Sequence, residues 1–140
     1  MMKFTVLGIP VAKGRPKFAK RGNFVTSYTP QDTVNYENLV RLSYQQSCNE
    51  LRVLQGEVSM KIDAFFPIPK STSKKKHQLM AIGAIQHTKK PDADNVAKAI
   101  CDALNKIAYV DDSQIVSLEV NKYYSDVPRA EITITEVKHE

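Results

Sequence analysis

The sequence predicts an α/β fold: one domain spanning residues 1–140, a mixed β-sheet packed by helices, in the order β-α-β-(α)-α-β-β. Three observations predict it. Segments that alternate apolar and polar residues are separated by segments with apolar residues at three-to-four spacing, so strand and helix periods succeed one another. Pro10, Gly56, Pro67 and Pro69 punctuate the boundaries. A chain of 140 residues, 42% of them hydrophobic, can bury one core but has no room for a separate binding domain, so site and scaffold share one fold.

Phe4, Val6 and Gly8 alternate with Thr5, Leu7 and Ile9 as a first strand that stops at Pro10. A basic loop follows from Lys13 to Arg21, with five cations around Gly14, Pro16 and Phe18. Thr29-Pro30-Gln31-Asp32 is a helix start, with a hydroxyl N-cap, proline at the first helical position and an acid in the first turn. That helix runs to about Asn49, and Tyr36, Leu39, Val40, Tyr44 and Cys48 are expected to face the core. Val58, Met60, Ile62, Ala64 and Phe66 mark a half-buried strand ended by Pro67 and Pro69. Between Lys70 and Lys90 a strongly cationic segment surrounds a short apolar piece, and Ser71-Thr72-Ser73 can cap a short helix within it. Asp94 or Asn95 caps the next helix, whose stripe is Val96, Ala99, Ile100, Ala103, Leu104 and Ile107. Ile115 to Tyr123 and Ala130 to Val137 are strands, near enough in sequence to pair as an antiparallel hairpin.

Lys and Arg outnumber Asp and Glu by 20 to 15, a net charge of +5, which makes a polyanion such as nucleic acid the first partner to consider. Lys13, Arg15 and Lys17 in the N-terminal loop, with Lys74, Lys75, Lys76, Lys89 and Lys90 in the second cationic segment, are the candidate phosphate contacts. Phe18 either stacks on a base or anchors its loop. Cys48 and Cys101 lack a partner at zinc-ligand spacing, and His77, His87 and His139 share no ligand spacing either. With no apolar run of membrane-spanning length and no signal-like start, a reducing cytoplasm and no membrane partner are expected.

Four of the fifteen acids fall in one constellation: Asp92 and Asp94 before a helix, Asp111 and Asp112 after it. Crowded carboxylates disfavour one another's ionisation unless a cation holds them together. In an extended segment Asp92 and Asp94 leave on the same face, and the helix dipole keeps Asp94 ionised. Lys98 is one turn further along. Either Asp111 or Asp112 can return beside the pair. Clustered oxygen donors suit magnesium, with manganese as substitute, and such an ion lowers the pKa of a bound water and neutralises charge growing on phosphate oxygens. Lys98 would stabilise the same charge, and Asp112 or Asp92 would orient the water. One ion and two are equally compatible. The same residues also admit a purely structural reading: Asp94 as an N-cap, Lys98 with Asp102 as an i,i+4 pair, and Asp111-Asp112 as a turn.

Pro91-Asp92-Ala93-Asp94-Asn95, Lys98, Asp102-Ala103-Leu104-Asn105 and Asp111-Asp112-Ser113-Gln114-Ile115-Val116 closely resemble the core signature of the RusA-like Holliday junction resolvases. Pro10-Val11-Ala12-Lys13-Gly14-Arg15-Pro16 resembles the N-terminal loop of members from Gram-positive bacteria and their phages. The resemblance implies a cytoplasmic, bacterial or phage-encoded, magnesium-dependent homodimeric endonuclease of recombination and repair. Such an enzyme binds four-way DNA junctions and makes paired symmetric nicks. It places the catalytic, metal-centred role on Asp92, Asp94 and Asp112, the essential lysine at Lys98, and at most a supporting role on Asp111. The lysine-rich segment from Lys74 to Lys90 is longer than in shorter members, and no residue identifies a reader of cleavage sequence. Two competing functions are a non-catalytic DNA-binding recombination accessory, in which the acids only cap and pair, and a nucleotide-sugar transferase using Asp-x-Asp. The latter lacks the glycine-rich strand-to-helix loop of a nucleotide-binding domain.

Overall fold

A computed structural model of the protein describes residues 1–48 and 52–139. Six strands and three helices are formed: β1 (Met2–Leu7), β2 (Lys17–Arg21), β3 (Phe24–Tyr28), α1 (Gln31–Ser47), β4 (Val58–Pro67), α2 (Lys74–Ala81), α3 (Ala93–Leu104), β5 (Ile115–Ser125) and β6 (Arg129–Glu136), with a 3-10 turn at Asp112–Gln114. The predicted class holds: a mixed sheet of order β1-β6-β4-β5 carries helices on one face, and β2 and β3 form a separate two-stranded ribbon.

β4 is the spine of the sheet because every second residue is apolar. Val58, Met60, Ile62, Ala64 and Phe66 are all buried. They meet Ala130, Ile132 and Ile134 of β6 and Phe4 and Val6 of β1 on one face, over which α1 lays Tyr36, Val40 and Tyr44, and α3 lays Val96, Ile100 and Leu104. β4 runs antiparallel to β6 and parallel to β5, and β6 is antiparallel to β1. The parallel pair requires a crossover, and the chain between β4 and β5 supplies it with α2 and α3.

Five expectations are corrected. β5 and β6 do not pair with each other, because β4 lies between them. β4 is buried along its whole inner face and gains from pairing on both sides, whereas β5, with Val116 and Leu118 exposed, tolerates the edge. The run from Lys17 to Arg21 is a strand, not loop, paired to β3 in the register Lys17 with Tyr28 through Arg21 with Phe24. In α1 it is Pro30 that occupies the N-cap position, without a side-chain cap, so Thr29 is outside the helix. Leu39 lies on the exposed side of α1, one position off the Tyr36–Val40–Tyr44 line. Finally, α3 starts at Ala93, with Asp92 rather than Asp94 or Asn95 as N-cap. The helical turn takes in Asp94, since an acid there interacts favourably with the helix dipole. The expected end of α1 at Asn49 lies outside the described residues. Ser73 caps α2 as expected, its side chain accepting from the Lys76 amide.

Candidate active site

The start of α3 is held by the loop after β1. The Lys13 amide donates to the Asn95 carbonyl (3.0 Å), and the Gly14 amide donates to the Thr33 hydroxyl (2.9 Å). A Cβ on Gly14 would stand 2.9 Å from Pro30 Cγ and 3.0 Å from Thr33 Oγ1, so only glycine lets the loop pass this close to α1. The Lys13 ammonium then completes the clamp. Its Nζ lies 2.7 Å from Glu37 on α1 and 3.3 Å from Asp102 on α3. Asp102 also faces Lys98 Nζ at 3.6 Å, and Glu37 faces Arg41 at 3.5 Å. Burial opposes the charge on Lys13, but hydrogen bonding and attraction from Glu37 and Asp102 together outweigh it and raise the pKa above 10.5. Lys13 therefore braces two helices from within, whereas Arg15 and Lys17 are exposed and outside any ion pair with a described residue.

Because α3 begins at Ala93, Asp92 and Asp94 do not share the face of an extended strand. The face that exists is helical: Asp94, Lys98 and Asp102 follow one another at i,i+4 steps. Lys98 is exposed and pairs with Asp102, as the structural reading anticipated. Asp92 and Asp94 are exposed at the helix mouth.

The chain returns to α3 through the 3-10 turn, which packs against that helix. Asp111 is the N-cap of this turn. Its carboxylate accepts from the Ser113 amide (3.0 Å), and the Gln114 side chain accepts from the Asp111 amide (2.9 Å), a capping box that lowers the Asp111 pKa. Gln114 also donates to the carbonyls of Leu54 and Gly56, fastening the turn to the chain before β4. Asp111 is thus a structural acid. Asp112 beside it is not used in the cap. Burial pushes the Cys101 thiol up to about 11, with the charges of Asp112 and Asp102 adding to it, and burial first, then neighbouring charges that include the same acids, raises Tyr109, whose hydroxyl donates to the Cys101 carbonyl at 2.7 Å.

Asp92, Asp94 and Asp112 share one property. None makes an ion pair or a side-chain hydrogen bond with any described residue. Their donor chemistry fits a hard divalent cation. Among the described residues, though, no three His, Cys, Asp or Glu side chains are gathered as a metal-holding group. A cleft of about 420 Å³ between β1, β6 and the end of α1 contains none of these acids. Asp92 and Asp94 are exposed and Asp112 is half-buried.

The second cationic segment is anchored at both ends. His77 lies 2.9 Å from Asp126, Lys122 Nζ donates to the Lys89 carbonyl (2.7 Å), and the His87 ring stacks on Phe66 at 4.0 Å with Tyr124 edge-on at 5.1 Å. Lys74, Lys75 and Lys76 fill the first turn of α2, where the helix dipole opposes positive charge, and are exposed. Lys89 and Lys90 are exposed on the approach to Asp92. Sequence reasoning did not find the aromatic partners of the ribbon, Phe24 and Tyr28, although Gly22-Asn23 between two β-prone runs is a two-residue hairpin signal. It also missed Glu37 and Asp102 as partners of Lys13.

A profile of the family described as Endodeoxyribonuclease RusA matches residues 8–135. An uncharacterised protein of Bacillus subtilis (strain 168), YqaN, is 43% identical over 138 residues, covering 97% of this chain and 96% of that protein. A crossover junction endodeoxyribonuclease, rusA, of Lactococcus phage r1t is 49% identical over 51 residues, 36% of this chain and 39% of that protein. The class so defined is an α/β endonuclease. Within it, the chain belongs to the RusA endodeoxyribonuclease family. Among the described residues no helix is long and apolar enough to cross a membrane.

Proposed function

We propose that the chain resolves four-way DNA junctions in recombination and repair, as a cytoplasmic homodimer formed from a single domain. Each protomer would place one active site on one of two opposed strands, so that the two-fold of the protein matches that of the junction. The observation that carries the reading is that Asp92, Asp94 and Asp112, in a chain of net charge +5, make no ion pair with any described residue.

Asp92, Asp94 and Asp112 would hold magnesium, or manganese in its place. When bound, the ion supplies an activated water and neutralises charge on the phosphate oxygens. The chain's own residues do the rest. Lys98 presents its ammonium to the phosphate and stabilises charge on its oxygens, and Asp102 draws that ammonium toward the helix. Asp112 or Asp92 accepts a hydrogen bond from the attacking water and orients it. Arg15 and Lys17 on one side, with Lys74, Lys75, Lys76, Lys89 and Lys90 on the other, grip the flanking phosphates. Lys13 acts one step back, setting the position of Asp102.

The test is to incubate the purified protein with a synthetic four-way junction and magnesium. Paired symmetric nicks are expected, and Asp94→Asn should abolish them while leaving junction binding intact. Failure to cut several junction sequences, with manganese as well and with binding intact, would overturn the proposal.

A further inference from the structure

The ribbon formed by β2 and β3 exposes apolar surface that the fold leaves uncovered. Phe18 is 72% exposed, Phe24 74%, Val25 65% and Tyr28 51%. A lone two-stranded ribbon is marginal in water, so aromatic rings displayed on one need a partner to account for them. The register says what kind. Lys17 stands opposite Tyr28 and Arg21 opposite Phe24, which puts a cation beside an aromatic ring at each end of one face, with the small pair Ala19 and Thr26 between. The other face carries Phe18 opposite Ser27 and Lys20 opposite Val25. The first acid in the chain is Asp32, so the ribbon carries no carboxylate of its own.

A protein surface covering this ribbon would desolvate three cations that have no local counter-charge. A nucleotide offers a phosphate and a π-face within one repeating unit, which matches a cation and a ring set side by side. Bases inside a duplex are stacked on one another and present no free face. Bases at the crossover of a branched DNA are open. The loop that leads into the ribbon is tied to the helix that carries Asp94 and Lys98, through the Lys13 amide on Asn95 and the Lys13 ammonium on Asp102, so the ribbon springs from a point four residues past that anchor.

We propose that the β2–β3 ribbon is a branch-point reader, in which Phe18, Phe24 and Tyr28 stack on unstacked bases beside the strand crossover while Lys17, Lys20 and Arg21 hold the adjoining phosphates. This rests on the junction-cutting reading and deepens it. The ribbon is what separates branched from linear DNA, and α3 does the cutting.

The experiment uses the full chain in the Asp94→Asn background, so that binding is read without cleavage. A four-way junction carries 2-aminopurine at a branch nucleotide or, as control, in the middle of an arm, and a linear duplex of the same length is titrated at the same salt. The protein should change the branch signal and leave the arm signal unaltered. Replacing Phe18, Phe24 and Tyr28 together by Ala should abolish the change and weaken junction binding by about a thousandfold, roughly tenfold for each of the three rings, with duplex binding within about threefold. The Phe18→Leu/Phe24→Leu/Tyr28→Leu variant keeps apolar bulk and removes all three π-faces. It should lose the branch signal too, which separates stacking from any folding defect. Equal loss on junction and duplex, an unaltered branch signal in the parent, or a halved molecular mass of the variant by light scattering would each overturn the proposal, the last by making the ribbon a contact between copies of the chain. If the protein with Asp94 intact cuts no junction yet changes the branch signal, the nuclease reading fails and the ribbon proposal stands.

Discussion

Acids on the outer face of the sheet and the trio Asp92, Asp94 and Asp112 are treated in opposite ways. Asp63 and Glu119 share Lys61, at 3.9 and 3.7 Å, and both accept from Asn121, at 3.0 and 2.9 Å. Glu131 pairs with Arg129 at 3.7 Å. Asp92, Asp94 and Asp112 have no such partner among the described residues, although Lys98 lies one turn from Asp94 and turns to Asp102 instead. A basic chain can pair its acids readily and does so where they serve the fold. Leaving Asp92 and Asp94 bare costs little because they are exposed; Asp112 is half-buried, and the oxygens of all three stay free for an external cation.

The largest contrast is expected in catalysis. Asp92→Asn, Asp94→Asn and Asp112→Asn should each lower the junction-cleavage rate by at least about a hundredfold in single-turnover assays, because under the proposed mechanism each removes a carboxylate that would hold the divalent cation. Asp63→Asn and Glu119→Gln should stay within about twofold of the parent. A similar loss from both groups would erase the distinction.

Next in size is Lys13→Met. Glu37 and Asp102 would be left part-buried without their shared cation, and stability in urea should fall by about 2–3 kcal/mol. Junction affinity of the folded fraction should change by less than about threefold, since Lys13 faces inward. The sign with pH follows from its raised pKa. The stabilisation from Lys13 is complete below pH 10.5 and is lost as pH rises through the higher folded value. An affinity loss without a stability loss would return Lys13 to the DNA surface.

Neutralising Lys74, Lys75 and Lys76 together should reduce the slope of log affinity against log salt by roughly two to three units, about 0.9 for each phosphate no longer neutralised. An unchanged slope would make α2 a solvated charge run. The smallest effect concerns His87, whose pKa is lowered by burial first and then by the charges of Lys122 and Lys89. The unfolded chain takes up its proton near pH 6.5 and the folded chain only below that, so stability is complete above pH 6.5 and declines as pH falls through the folded value. His87→Phe should flatten that decline in melting curves taken between pH 7 and about 5.

How much was legible depended on how local the signal was. β4 and α3 could be read because each carries its own period, and both packed as that period requires. The ribbon was overlooked because nearly all of its residues are exposed, so it has no alternation of burial to betray it, and its Gly22-Asn23 turn was the remaining clue. The pairing of β5 with β4 instead of β6 depends on which strand buries most, a competition between distant segments. Asp92 and Asp94 were placed on one strand face because two good capping residues lie in tandem, and the earlier one won. Lys13 read as a DNA contact because its partners, Glu37 and Asp102, come from helices that only the fold brings to it. The resemblance to the junction resolvases, carried by residues 90 to 118, agreed with the family profile.

The central claim is that Asp92, Asp94 and Asp112 are kept free for chemistry and not for the fold. Its most direct measurement is paired melting and junction cleavage on the Asp92→Asn/Asp94→Asn/Asp112→Asn variant. The expected result is no paired nicks and a Tm within about 3 °C of the parent, since the helix-dipole attraction given up is offset by relieved repulsion. Retained nicking, or a fall in Tm of about 6 °C or more, would contradict it.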